Sequence, residues 1–446
     1  MSKLSVLGPR APEISITTET KCDPLLFVNV DISECYDSID SQKLYDIMEQ
    51  VLMTSAKSSE PYIVRQYGIV RLSQGKLKKS IKRTAIVNSQ WSSFYSLVNS
   101  LSKTTAIRNS IFTDIVAYQT ETRENCLTAL KTHLFGNLLK SRGNYYHQVK
   151  GISQGSVLSS LLCSFYCGSM EKDCLPTIGP YDGLLLRFVD DFLLITRNQS
   201  LAREFYSIMS KGIPEYNCFI NAKKTVLNFE IDQDGFVHPL ENVQWIPWCG
   251  LLINTQTLDM QTDFSRYIGK DIRNSMTIVC HVKPFQSLKQ KTIQAVKLKC
   301  HPLLLDLDVL GQRTVLINIY QSFLLTAIKF SANVRAVLRG RHSSHFAKFF
   351  IGIISSCIFV FHKAATSKCR WEGSSESTFT ISKQVCFWLG WHAFYIILKK
   401  RKTCHFRLLQ MLRQKEQTVS ISRGVKAALG EVTCRSISRD LFKIQY

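Results

Sequence analysis

Apolar residues fall into two kinds of run along this chain. The first kind is short. Leu25–Val30, Leu184–Leu186, Phe192–Ile195 and Leu251–Ile253 are too brief for an ordinary helix and have the length of buried strands. The second kind recurs at helical spacing: Leu44, Ile47, Met48, Val51 and Leu52, then Val157, Leu158, Leu161, Leu162, Phe165 and Tyr166, then Leu201–Met209. Asp40 and Ser41 precede the first of these as an N-cap signal. From about residue 266 the pattern turns mainly helical, with apolar segments at Leu303–Leu310, Val315–Phe330, Phe346–Phe361 and Val385–Leu398. A loop is expected at Gly373–Thr380. The pattern predicts an α+β region with a largely antiparallel sheet, followed by an all-α region. The boundaries it suggests are an irregular lead-in over 1–24, a mixed domain over 25–265 with an insertion at 53–130, and a helical domain over 266–446.

Two short runs end in acids. Leu25–Val30 is followed by Asp31, and Asp190–Asp191 lie between two apolar runs, as at the tip of a hairpin. Neighbouring carboxylates repel, and a divalent cation with oxygen ligands is their natural counter-charge. If the two segments pair in one sheet, Asp31, Asp190 and Asp191 share an edge and can hold two cations roughly 4 Å apart, the requirement of nucleotidyl transfer. Between them, Gly151-Ile152-Ser153-Gln154-Gly155-Ser156 is a glycine-bearing turn that feeds a helix and lets backbone approach a ligand. Lys223 and Lys224 stand exposed between apolar runs, and Trp245 and Trp248 flank a turn where they could stack on bases or seal a core edge.

Charge sharpens the division. The net charge is +22, yet residues 1–260 hold 26 basic and 25 acidic residues, whereas 261–446 hold 30 and 9. A basic half beside a carboxylate site suggests a polyanion held by one and processed by the other. Lys76, Lys78, Lys79, Lys82 and Arg83 form a smaller basic cluster around Gly75, suited to phosphate or to a solvated hairpin. The run Lys399–Lys402 reads as a basic helix end or a nuclear address. The fifteen cysteines include no CxxC pair. Cys163, Cys167 and Cys174 sit among apolar neighbours, so the sequence argues against zinc and against a disulfide framework, and a reducing compartment is expected. The apolar stretches Phe349–Phe361 and Val385–Leu398 fall short of the roughly 20 residues of a membrane span and read as core helices.

Four ordered stretches carry a resemblance: Val30-Asp31-Ile32-Ser33-Glu34-Cys35-Tyr36-Asp37-Ser38-Ile39, Gly151–Ser159, Leu185–Leu194 with its Val189-Asp190-Asp191, and Trp248-Cys249-Gly250-Leu251-Leu252. Over roughly 25–446 the sequence resembles the telomerase reverse transcriptase family. The resemblance implies a right-hand polymerase palm with part of the fingers in the insertion and an all-α thumb extension that cradles a template–primer duplex. It implies that Asp31, Asp190 and Asp191 bind two Mg2+ ions, and that Tyr36 lies under the incoming sugar. Gln154 and Gly155 would line the nucleotide, Lys224 (with Lys223 as rival) would act near the leaving pyrophosphate, and Trp248, Cys249 and Gly250 would form the primer grip. The implied partners are a telomerase RNA template, a telomeric single-stranded DNA primer, dNTPs and other telomerase holoenzyme proteins, with no membrane. The implied location is the nucleus, at telomeres.

The family carries an N-terminal domain, an RNA-binding domain and finger motifs ahead of the first aspartate motif, where about 24 residues stand here. The sequence therefore reads as a fragment or shortened product. The leading expectation is an RNA-directed DNA polymerase region; the alternative is a non-catalytic form that binds duplex or regulates the full-length enzyme.

Overall fold

A computed structural model describes residues 24–54, 60–73, 76–87, 93–104, 110–179, 181–232, 237–240, 242–277, 284–338, 343–370 and 376–446. The expected lead-in up to residue 23, Gly75, and the first part of the Gly373–Thr380 loop lie outside them. The chain divides into two compact units: residues 28–194 with 200–225, and residues 1–27 with 195–199 and 226–446. A four-stranded sheet has the order β7-β8-β1-β9, built from β1 (Leu26–Asp31), β7 (Gly183–Phe188), β8 (Asp191–Thr196) and β9 (Val226–Leu227).

All six residues of β1 are buried, which is why its sequence is a continuous apolar run and not an alternating one. A single helical turn, α1 (Cys35–Ser38), follows and carries Tyr36. The helix α2 (Ser41–Thr54) starts where Asp40 Oδ1 accepts from the backbone N–H groups of Gln42 and Lys43, at 2.8 and 2.9 Å. The insertion contains β2 (Tyr62–Ser73), β3 (Lys76–Val87) and β4 (Ser110–Glu121), paired antiparallel in the order β3-β2-β4, with α3 (Phe94–Thr104) between the last two in sequence. Lys78, Lys79, Lys82 and Arg83 are exposed along the edge strand β3, a placement that discourages edge-to-edge pairing.

Helix α4 (Arg123–Phe135) and the hairpin β5 (Leu138–Ser141)–β6 (Asn144–His147) lead to α5 (Ser159–Cys174). The broad apolar face expected on α5 is narrower than its sequence suggests. Leu162, Cys163, Tyr166, Cys167 and Met170 are buried, while Val157 is 96% exposed and Leu158 and Leu161 are also exposed. The helix begins at Ser159, so Val157 belongs to the preceding turn, and the stripe that follows the 3.6-residue period leaves Leu161 outside. Helix α6 (Gln199–Lys211) buries Leu201, Ala202, Phe205 and Met209, as its spacing predicts.

The second unit holds two small antiparallel sheets, β10 (Phe229–Ile231) with β11 (Val237–Pro239), and β12 (Trp245–Trp248), β13 (Leu251–Asn254) and β14 (Met260–Thr262). Its helices are α7 (Pro284–Lys299), α8 (Pro302–Leu305), α9 (Gln312–Leu338), α10 (Ala347–Lys368), α11 (Lys383–Lys399), α12 (Lys402–Thr418), α13 (Arg423–Val432) and α14 (Arg439–Lys443). The apolar stretch Leu303–Leu310 supplies only the four-residue α8, because Asp306 and Asp308 interrupt it. Helix α9 is the axis of this unit. It is apolar on nearly every face and buried nearly throughout, and its Asn318 Nδ2 is satisfied by the carbonyls of Met260 and Leu304 at 2.8 and 3.0 Å.

Helices α9 and α10 extend well past the apolar stretches read from sequence, and both are long and apolar enough to cross a membrane by length and composition. In α9, 94% of the apolar window is buried inside the protein, which is the pattern of a core helix.

Candidate active site

The 184–196 segment folds as the β7–β8 hairpin, with Val189 and Asp190 as its two-residue turn and Asp191 as the first residue of β8. Val189 has φ +61°, a left-handed conformation that a β-branched residue rarely adopts, at a cost of order 1–3 kcal/mol. Arg187 holds this tip against α5: its guanidinium pairs with Glu171 and donates to the carbonyls of Ser164 (3.2 Å) and Val189 (3.4 Å). Next door in the sheet, β1 ends at Asp31, and Ile32 N–H donates to Asp190 O at 3.2 Å. The three aspartates therefore meet at one edge, as the sequence predicted.

Their electrostatics are strained. Burial, a hydrogen bond shared with Asp31, and the charges of Asp190 and Asp31 push the Asp191 carboxyl up to about 6. Asp190 is also raised, chiefly by burial. Lys224 Nζ donates to Asp31 Oδ2 at 2.8 Å, and that contact raises the lysine further. The Lys224 side chain is 62% exposed, so the pair is worth little net and leaves the ammonium free to exchange partners. Asn221, which sequence reasoning passed over, builds the turn that presents this lysine. Its N–H donates to Asp31 O at 2.8 Å, and its own carbonyl accepts from Lys224 N–H at 2.9 Å.

A cleft of about 570 Å³ opens over these groups, lined among others by Asp31, Tyr36, Gln154, Gly155, Asp190 and Lys224. The glycine turn is locked to the strand-end loop. Ile152 N–H donates to Tyr36 O at 2.8 Å, and Gln154 Nε2 donates to Asp37 Oδ2 at 3.0 Å. Gly151, at φ +75°, packs so closely that a Cβ there would lie 2.6 Å from Tyr36 O. Seven of the expected site residues thus converge in the first unit.

Trp248, Cys249 and Gly250 belong to the second unit, where Cys249 (φ +49°) and Gly250 (φ +77°) form the primed turn between β12 and β13. Two functional positions left unread in the sequence are Asn221 and Arg187. The latter had a signal, a lone cation inside an apolar strand.

Three carboxylates meeting at the ends of adjacent strands, two of them lining a cleft beside a glycine turn, define a polymerase palm. Residues 110–269 match the family model described as reverse transcriptase (RNA-dependent DNA polymerase), and residues 286–413 match that of the telomerase reverse transcriptase C-terminal extension. Telomerase reverse transcriptases of Bos taurus and Rattus norvegicus are 33% and 35% identical over 413 and 402 residues, covering 91% and 87% of this chain and 36% and 35% of theirs. That of Arabidopsis thaliana is 30% identical over 452 residues, covering 95% of this chain and 39% of its own. Telomerase from Candida albicans, solved with a fragment of telomeric RNA, shares the fold at TM-score 0.52 and 20% identity, over 90% of this chain and 52% of that one. The chain belongs to the telomerase reverse transcriptase family, and spans a little over a third of the length of the curated relatives it matches.

Proposed function

We propose that this chain supplies the catalytic palm and thumb for RNA-templated addition of telomeric DNA to chromosome 3′ ends. The observation that carries the reading is the meeting of Asp31, Asp190 and Asp191 at one edge, with an ammonium already against one of them. Such an excess of crowded oxygen donors suits hard divalent cations, and all three residues would hold Mg2+. When bound, two such ions lower the pKa of the attacking primer hydroxyl and neutralise the leaving pyrophosphate. The protein's own groups do the rest. Tyr36 lies beneath the sugar of the incoming dNTP. The locked turn at Gln154 and Gly155 fixes the base pair's near edge. Lys224 leaves Asp31 for the pyrophosphate, holding a proton at Nζ. In the second unit, Trp248, Cys249 and Gly250 grip the primer end, and the basic helices hold the duplex through its phosphates.

The RNA template, the DNA primer, accessory telomerase proteins and a nuclear, telomeric location are part of this proposal, supported by family membership. The test is primer extension on an RNA–DNA hybrid with dNTPs and magnesium, by the chain in a reconstituted telomerase complex. Asp190→Ala abolishes extension if the reading is right; undiminished extension overturns it. Hybrid binding should fall steeply with salt, and salt-insensitive binding would remove the basic helices from the duplex contact.

A further inference from the structure

Directly behind the site lies a cluster that the chemistry above does not use. Cys163 and Cys167 stand one turn apart on α5, and Cys35 comes from α1, next to Tyr36. The three sulfurs all lie within 4.8 Å of one another, with Sγ···Sγ 3.5 Å for Cys35–Cys163 and 3.9 Å for Cys163–Cys167. The residues are 4%, 0% and 0% exposed. Cys174, the sequence neighbour that seemed to belong with them, is not in the group. Three buried sulfurs facing one another set this group apart from a single structural thiol packed against hydrocarbon.

We propose that Cys35, Cys163 and Cys167 form a three-thiolate site for a soft monovalent metal ion, Cu(I). Thiolates select soft ions over magnesium. With metal–sulfur bonds of roughly 2.3 Å, three ligands around a trigonal centre stand roughly 4 Å apart, close to the spacing here. Structural zinc takes four ligands, and among the described residues the group offers three. Hydrogen bonds from Cys167 and Cys35, with the Arg187 guanidinium adding to them, hold Cys163 below the usual thiol range, while the contact with Cys163 and burial push Cys167 up to about 12 and Cys35 up as well. Binding one Cu(I) to three thiolates releases whatever protons those sulfurs carry and changes no oxidation state. A loaded site ties α1 to α5 and so fixes the backbone that carries Tyr36.

The experiment is anaerobic Cu(I) transfer from the chromophoric chelator bicinchoninate to the purified chain, with X-ray absorption on the product. The expected result is one tightly held Cu(I) with three sulfur neighbours. Loss of a ligand in Cys163→Ser should weaken binding by at least about 100-fold, since even outer partners of a metal site are worth up to that. Cys404→Ser, at an exposed cysteine, should bind as the parent does. A second measurement needs no variant: alkylation of the buried thiols is followed over time in the metal-free and the Cu(I)-loaded chain, and loading should slow Cys35, Cys163 and Cys167 together relative to the metal-free chain, as mapped by mass spectrometry. Copper held equally by Cys163→Ser, a two-sulfur coordination sphere, or protection that spares any of the three would overturn the proposal.

Discussion

The two units of this protein concentrate different things: apolar packing in the second, crowded charge in the first. In the second, Phe323, Phe330, Phe350, Phe361 and Phe394 are fully buried, and Asn318 in the centre of α9 donates through Nδ2 to two carbonyls while its own Oδ1 is buried without a partner among the described residues. Its local choices agree with its packing. The first unit breaks several rules within a few residues. Like charges crowd at Asp31, Asp190 and Asp191, Val189 is held in a left-handed turn, and three thiols face one another in the interior. A continuous core of buried aromatic and aliphatic side chains marks the second unit. Backbone strain and crowded like charge mark the part that carries the candidate active site.

If that contrast is right, substitutions in the two units should separate activity from stability. The largest effect is expected for Asp190→Ala. Extension should fall by roughly a thousandfold or more, as for removal of a group that stabilises transition-state charge, with the circular dichroism spectrum unchanged. In the second unit, Phe361→Ala removes a fully buried ring packed 4.8 Å from that of Phe323 and should cost about 3–5 kcal/mol in denaturant unfolding. A loss below about 1 kcal/mol would show a core looser than its burial suggests.

Asp191→Asn should do what no core substitution can, inactivating the protein while stabilising it. The folded carboxyl titrates near 6, above its unfolded value of about 3.9, so the fold favours the protonated form. That contribution is complete below about pH 4 and is lost as pH rises through about 6. At neutral pH the variant should therefore gain about 1 kcal/mol, discounted for the half-exposed site, and melt about 2–4 °C higher. Below pH 4 the gain should vanish; a gain that persists there would locate the effect elsewhere. The same titration requires divalent-ion affinity to fall as pH drops through about 6. The smallest effect is expected for Val189→Asn, a residue that tolerates φ > 0, which should stabilise the hairpin tip by about 0.5–1 kcal/mol in urea titration.

Much of this was legible in the chain itself. The short apolar runs before Asp31 and around Asp190–Asp191, the helical periods of α2 and α6, and the basic bias after residue 261 depend on neighbours in sequence, and local spacing encodes them. The order of the four motifs was enough to suggest the family. Other features were set by partners far along the chain. Whether Leu161 is core or surface depends on which side of α5 meets the sheet, and a helical stripe of six apolar residues cannot say. Arg187, inside an apolar strand, found its use only against Glu171 and the carbonyl of Ser164. Asn221 acquired its role only when its turn came to lie against Asp31. Cys35 lies 128 residues from Cys163, and no spacing rule joins them. The sequence by itself determined the acid-bearing strands β1 and β7–β8 and the helices α2, α6 and α9–α11, because those follow from capping, spacing and burial of adjacent residues. Tertiary structure alone decided which side chains share a few ångströms of space, and there the pKa of Asp191, the pairing of Lys224 and the thiol cluster arise, because electrostatic and ligand-field effects act through distance and not through sequence order.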